Sequence, residues 1–320
     1  MQPIKLTPPG LTHKRRPIFQ TLFRQRQLLY MSVPMLLYIL LFNYAPLWGW
    51  LTAFMDYKPA RPLMDNTWVG FANFSWLFGR EEFLMAIRNT FAMSVINLTF
   101  NTVAAITLAV LLNEIRLISF KRTIQTVTYL PHFLSWVIVV GMAQTMFATD
   151  GAVNQALMSL GLTKNPAFFL GEGRYFWWVV AFINVWKEVG WNSIIYLAAM
   201  AAIDPALYEA AQIDGAGRLR KIRHITLPGI KSTFVVLLIM NIGSLISGMT
   251  DGSFDVPYLM GQNILIDWSQ TIDIFVLKYG ISKGQYGRAT AAGIFKSLVS
   301  ISLLLSANII ARKLDEETLL

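Results

Sequence analysis

YEAAQIDGAGRLRKIRHITLP, residues 208–228, is a polar, basic stretch set between two long apolar runs. Asp204-Pro205 just ahead of it reads as a helix start. The aspartate is a cap acceptor, and proline stands at the first helical position, where no N–H is needed. Ala206 to Ile213 is rich in good helix formers. Gly215 and Gly217 break that helix, because glycine takes positive φ without steric penalty. Arg218 to Ile225 has the composition of a second short helix, which Pro228 beside Gly229 should end. The expected product is a compact knob of two short helices with cations on the second. Small residues at Ala210, Ala211, Gly215 and Ala216 would let a partner come close to the backbone.

What flanks the knob fixes the class of protein. Apolar residues make up 55% of the 320-residue chain and charged residues only 14%, where a soluble domain carries about 25% charged residues. Windows of about 20 mainly apolar residues mark membrane-spanning helices. Six are found, near 28–54, 87–112, 124–147, 175–200, 231–250 and 289–310. The fold expected is therefore an all-α integral membrane protein of six transmembrane helices, with the knob in the loop between the fourth and fifth. Residues 1–27 form a basic N-terminal segment, 28–310 the six-span domain with its loop at 201–230, and 311–320 a short tail. The first apolar run is too long for a signal-peptide core and reads as a retained anchor. Residues 14–30, KRRPIFQTLFRQRQLLY, read either as an amphipathic helix on the membrane surface or as an unstructured basic tail.

The net charge of +9 is mostly topological. If the N-terminus lies inside, the inner segments hold Lys5, Lys14, Arg15, Arg16, Arg24, Arg26, Arg116, Lys121 and Arg122. They also hold Arg218, Arg220, Lys221, Arg223, Lys231, Arg312 and Lys313, together most of the 27 lysines and arginines. The positive-inside rule then puts both termini and the 201–230 loop in the cytoplasm. Because the bases flank spans and do not form one face with aromatic platforms, a nucleic-acid partner is not expected. Cysteine is absent, which excludes disulfides, thiolate metal sites and thiol nucleophiles.

Several motifs carry a resemblance that runs over nearly the whole chain. Glu209-Ala210-Ala211, Asp214-Gly215-Ala216, Ile225, Leu227 and Pro228 resemble the EAA loop of ABC importer permeases. Phe42-Asn43-Tyr44-Ala45-Pro46, Trp68-Val69-Gly70-Phe71-Ala72-Asn73-Phe74, Leu111-Leu112-Asn113-Glu114 and Tyr129-Leu130-Pro131-His132-Phe133-Leu134-Ser135-Trp136 extend it. Gly190-Trp191, Ile194 to Ala199 and Ile203-Asp204-Pro205 complete it. Together they are similar to the carbohydrate-uptake permeases related to the maltose importer, and within them to the subgroup importing acidic oligosaccharides such as alginate fragments. The family usually has Phe where Ile222 stands.

The resemblance implies a cytoplasmic-membrane protein that is not an enzyme and binds no cofactor. It implies a second, homologous permease, two copies of an ABC ATPase holding ATP and Mg, and an extracytoplasmic solute-binding protein. The EAA residues would dock into the ATPase. This chain has no phosphate-binding G-x-x-x-x-G-K-[ST] loop; Gly229-Ile230-Lys231-Ser232-Thr233 is only superficially similar. Its expected outer loops are long enough to contact a delivery protein and too short to be a large binding domain.

Polar residues inside spans point to a path, since an ionisable group at mid-membrane costs about 2.5–3.5 kcal/mol. The fourth span has Asn184, Trp186, Lys187, Glu188, Trp191 and Asn192 near its centre. Asn184, Glu188 and Trp191 share a face, whereas Lys187 and Glu188 are neighbours that do not face each other along the helix. Two readings are open. Lys187 meets an anionic sugar while Trp191 or Trp186 stacks on a ring, or Lys187 and Glu188 satisfy partners on neighbouring helices. Asn241, Ser244 and Ser247 form a stripe in the fifth span that suits a pore lining or helix–helix hydrogen bonding. Lys296 is a second buried-cation candidate. Asn97, Asn101 and Gln144 read as interhelical glue, and His132 as structural.

Two other classes compete. A membrane-embedded sugar transferase would need clustered acids or a metal; Asp251, Asp255, Asp267 and Asp273 are the best group, without the spacing of a metal site. A secondary carrier or passive channel would transport as an isolated chain.

Overall fold

A computed structural model describes residues 26–244, 252–261 and 263–313. Most of the basic N-terminal segment, the residues of the tail beyond 313, Ser247 and Asp251 lie outside the described residues. The chain divides into two units, Met1–Leu51 and Thr52–Leu320.

The first unit is helical where described. Helix α1 (Arg26–Ile39) holds Pro34 and continues through a π-helical turn, Leu40–Tyr44, into a 3-10 helix, Ala45–Phe54. Met31, Leu36, Leu37, Leu41 and Phe42 are all exposed. Such an apolar sheath suits a helix whose solvent is hydrocarbon.

The second unit begins with a small antiparallel ribbon of β1 (Met55–Asp56) and β2 (Thr67–Trp68), in the register Met55 to Trp68 and Asp56 to Thr67. Asn66 holds its turn by accepting from the Lys58 N–H (2.8 Å) and donating to the Pro62 carbonyl (2.9 Å). This ribbon is the only departure from helix-and-loop structure among the described residues. Helix α2 (Ala72–Phe78) leads into α3 (Glu81–Glu114). At 1.5 Å per residue α3 is about 51 Å long, more than a hydrocarbon core of about 30 Å requires.

The third apolar run, expected as one span over 124–147, is broken. Helix α4 (Ile118–Tyr129) tightens into a 3-10 turn, Leu130–Phe133, and α5 (Trp136–Met146) leaves at 105° to it. Pro131 has no N–H to give, and Leu134 and Ser135 are extended. Ser135 then caps α5, its hydroxyl accepting from the Ile138 N–H at 3.4 Å.

After α6 (Ala152–Ser159), the long helix α7 (Gly173–Ala201) packs along α3. It also crosses α4 at contact distance: a Cβ on Gly190 would strike the Thr128 carbonyl and the Tyr129 ring. Gly190→Ala should therefore destabilise the bundle by about 1–3 kcal/mol, the usual penalty of overpacking. A thermal melt in detergent unchanged from wild type would contradict this close approach.

The knob follows as α8 (Pro205–Ile213), α9 (Arg218–Lys221), a π-helical turn Ile222–Thr226 and α10 (Leu227–Gly229). The second helix does not end before Pro228, as its sequence suggests. The proline sits in the first turn of α10, where its missing N–H does no harm, and the helix stops after Gly229. Helix α11 (Lys231–Ser244) then departs at a bend of 55°.

The expected third outer loop, 251–288, is largely ordered helix. It holds α12 (Asp255–Met260), α13 (Ile266–Ser269), α14 (Ile272–Leu277) and a π turn, Lys278–Ser282. Val256 and Phe275 are fully buried. Glu82 ties this region to α3, accepting from Gln270 (3.0 Å), Lys278 (2.5 Å) and the Tyr279 hydroxyl (2.7 Å). Burial and the bond to Glu82 both hold the Tyr279 hydroxyl in its protonated form, above the usual phenol range. Helix α15 (Tyr286–Lys313) is the last described element.

Among the described residues three helices are long and apolar enough to cross a membrane alone, and up to six spans result if each bent pair counts as one. Exposed Phe91, Val95, Phe100, Val103 and Leu111 along α3, and Leu298, Ile301, Leu305 and Ile309 along α15, fit that solvent.

Candidate functional sites

Two regions are candidate sites, the knob and the polar centre of the helices around α7.

In the knob, the Asp204 carboxylate accepts from the Ala206 N–H at 2.9 Å and Pro205 opens α8, as the sequence indicates. Gly215 has φ +74°, in the left-handed region, and turns the chain from α8 towards α9. Gly217 is extended (φ −69°, ψ 169°), so only one of the two glycines uses positive φ. Glu209, Ala210 and Asp214 are exposed, and Ala211 and Ala216 half-buried. Between the helices, Ala211, Asp214, Ala216, Arg220, Lys221, His224 and Ile225 line a groove. Ile213 and Leu219 are 87% and 83% exposed at the tip. These two apolar side chains are open to a partner that could cover them. At the base, the Tyr208 hydroxyl and Thr226 Oγ1 lie 3.0 Å apart, and Thr226 is buried. Leu227 and Pro228 are exposed on the return path.

At the centre of α7, Lys187 and Glu188 do meet, against the expectation from their adjacency. Lys187 Nζ donates to Glu188 Oε1 at 3.0 Å and to the His132 carbonyl at 2.7 Å, and lies 4.6 Å from the centre of the Trp136 ring. The second Glu188 oxygen is 2.7 Å from His132 Nδ1. The His132 ring stacks on Trp191 at 4.3 Å, nearly parallel. The break between α4 and α5 explains the meeting. It turns a backbone carbonyl and an imidazole towards α7, and the two long side chains bend from their helical directions to reach them. The Lys187 side chain is only 5% exposed. Trp186 and Trp191 are partly exposed, with Trp191 in contact with His132. Lys296 is paired with Asp273.

Beside this cluster is a cavity of about 170 Å³ between α3, α7 and α11. Asn184, Glu188, Asn241 and Ser244 line it, so four of the path candidates are brought together; Trp186, Lys187, Trp191 and Lys296 do not line it. Asn97, Asn101, Asn192 and Tyr196 also contribute. The expectation that Asn97 and Asn101 act as glue fails for their carbonyl oxygens, which are buried without a partner among the described residues. Gln144 does bridge helices, donating to the Leu259 carbonyl at 3.3 Å. The i, i+4 spacing of Asn97 and Asn101 on the face that packs against α7 was the available sequence signal. Among the described residues no group of acids and histidines could hold a metal ion.

A multi-span helical bundle with an exposed, apolar-tipped knob and a polar interior belongs to the class of membrane transport subunits. Residues 101–316 match the family described as binding-protein-dependent transport system inner membrane component, and the chain belongs to it. It is thus a multi-pass inner-membrane permease of an ABC importer, a transport subunit without an ATPase domain. Protein LplB of Bacillus subtilis (strain 168) is 42% identical over 297 residues, 92% of each chain. The polygalacturonan/rhamnogalacturonan transport system permease protein YteP of the same organism is 40% identical over 305 residues, 95% of this chain and 93% of its own. One solved structure superposes with a TM-score of 0.85 at 35% identity, covering 95% of this chain and all of the other. It is the bacterial alginate ABC transporter in complex with an alginate pentasaccharide-bound periplasmic protein.

Proposed function

We propose that this chain forms, with a second related permease, the translocation pathway for acidic oligosaccharides such as alginate fragments. A solute-binding protein delivers the sugar outside, and two copies of an ABC ATPase drive alternating access from inside. The knob at 201–230 and both termini face the cytoplasm, and the knob is the seat of the ATPase. The observation that carries this reading is the knob itself: Ile213 and Leu219 stand out from it, and Gly215 fixes its bend. Glu209 is exposed for charge-assisted hydrogen bonds to a partner. The acidic class draws support from two relatives, whose names tie them to alginate and to polygalacturonan.

The test is reconstitution. The chain co-purified from its native membrane should bring a second permease and an ATPase. In proteoliposomes, with its binding protein, that complex should hydrolyse ATP faster and accumulate label when given alginate tetrasaccharide. Accumulation by the isolated chain would make it a carrier instead. Stimulation by neutral oligosaccharides alone would overturn the acidic class.

A further inference from the structure

We propose that the end of the bundle opposite the knob carries a binding site for the phosphate headgroup of an anionic phospholipid. It is built from Arg80, Arg288 and Lys283 around the rings of Trp76 and Tyr279.

The site is a gathering of cations on aromatic rings. The guanidinium carbons of Arg80 and Arg288 lie 4.8 and 4.1 Å from the centre of the same Trp76 ring. Lys283 Nζ lies 3.9 Å over the Tyr279 ring, which meets Trp76 edge-on at 5.3 Å. Each ring attracts a cation, yet like charges brought to two touching rings still repel one another. The nearby carboxylates do not offset this. Glu82 is occupied by Lys278, Gln270 and the Tyr279 hydroxyl. Glu81 is exposed and pairs with none of the three cations among the described residues. Arg288 is steadied by Gln285 Oε1 at 2.7 Å, a neutral acceptor. What remains is an excess of positive charge on side chains held in place by rings. An anion with several acceptor oxygens, such as a phosphate, complements it.

Depth and surroundings select a lipid as the source of that phosphate. Ala109 of α3 packs in the same cluster as Ile230, at the base of the knob. Along the helix axis Glu82 is about 40 Å from Ala109, which exceeds a hydrocarbon core of about 30 Å. With the knob at one membrane face, the cations stand at the headgroup level of the other. Trp68, Phe71 and Phe78, on and beside α2, are exposed, Phe71 to 73%. Exposed aromatic rings at a span's end mark the membrane–water interface. Leu84 is exposed one turn into α3 and begins the row that continues through Phe91 and Val95. A lipid lying against Phe78 and Leu84 has its phosphate among the cations.

Because the chain lacks cysteine, Ser75→Cys, at an exposed position on α2, takes one NBD fluorophore beside the site. The purified transporter complex is placed in nanodiscs holding phosphatidylglycerol or phosphatidylcholine with a nitroxide high on the acyl chain. At equal mole fraction the phosphatidylglycerol should quench about fivefold more effectively, the factor one interfacial cation supplies. Arg80→Gln/Arg288→Gln should bring the two lipids level, and Arg80→Lys/Arg288→Lys should keep most of the preference. Lys283→Gln, an exposed change, should lower the preference by itself, which keeps the test open if the double variant fails to fold. Equal quenching by the two lipids would overturn the proposal, as would a preference that survives both glutamine variants. Quenching by neither lipid, with the label shielded when a solute-binding protein is added, would make the patch a protein contact instead. Loss of the preference on adding inorganic phosphate, at an ionic strength matched with chloride, would assign the site to the free anion and remove the lipid.

Discussion

Gly215→Val is expected to leave the protein in the membrane at normal abundance and to cut ATP-driven uptake steeply while ATP hydrolysis by the complex continues. Gly215 is exposed at φ +74°, and a Cβ placed on it would meet no atom within 4 Å. The added Cβ thus touches no neighbour, and the penalty at that atom is backbone strain. A β-branched residue in the left-handed region is strained by about 1–3 kcal/mol. The bend can relieve that strain only by re-aiming α9 relative to α8. Ile213 and Leu219 flank the bend, so the surface proposed to seat the ATPase loses its shape. A loss of roughly tenfold or more in uptake follows if the strain is spent there. Gly215→Ala should lie between wild type and valine, and Gly217→Ala, at an extended position, should be close to wild type. Normal coupled uptake in Gly215→Val would remove this role for the turn.

Lys187→Met carries the second large effect, and it is on stability. Removing the ammonium leaves Glu188, with a side chain 10% exposed, facing only His132. Breaking one side of a buried ion pair costs about 3–5 kcal/mol, because the remaining charge is uncompensated. The double variant Lys187→Met/Glu188→Leu should recover most of the loss, since an apolar pair of similar volume is often as stable as the ions it replaces. Thermal melts of the three variants in one detergent decide this. If instead Lys187→Met melts like wild type and only weakens sugar stimulation, Lys187 is a substrate contact and the ion cluster is not what holds α7 to the α4–α5 break.

Much of the fold is legible in the sequence, for identifiable reasons. Long apolar runs have one solution in lipid, so the helical bundle follows from composition. Asp204-Pro205 and Gly215 act through local backbone chemistry, and the structure has them as read. Two departures from the expected spans and loops carry a local signal of their own. Pro131 followed by Ser135 is a stop and a cap inside one apolar run, and there the third run breaks. Ile272, Phe275 and Tyr279 recur at helical spacing in a supposed loop, and all three are buried. The meeting of Lys187 with Glu188 is not legible. It depends on a carbonyl and an imidazole from a segment 55 residues away, which adjacency rules for an isolated helix cannot supply. The same holds for the cavity, whose walls come from three helices distant in sequence.

The ion pairs also differ in when they can form as the chain is made. Lys187 and Glu188 are consecutive, so their helix leaves the ribosome with its own counter-charge and enters the bilayer close to neutral. Lys296 depends on Asp273, 23 residues earlier, in a separate helix. That ammonium has no counter-ion until the two segments fold against each other. A translocation machine handling one segment at a time should thus accept α7 on its own merits and hold α15 at its edge until α14 has docked. Asp273→Asn would then register first as a defect of biogenesis, with α15 slow to integrate, and only afterwards as a loss of stability in the finished permease.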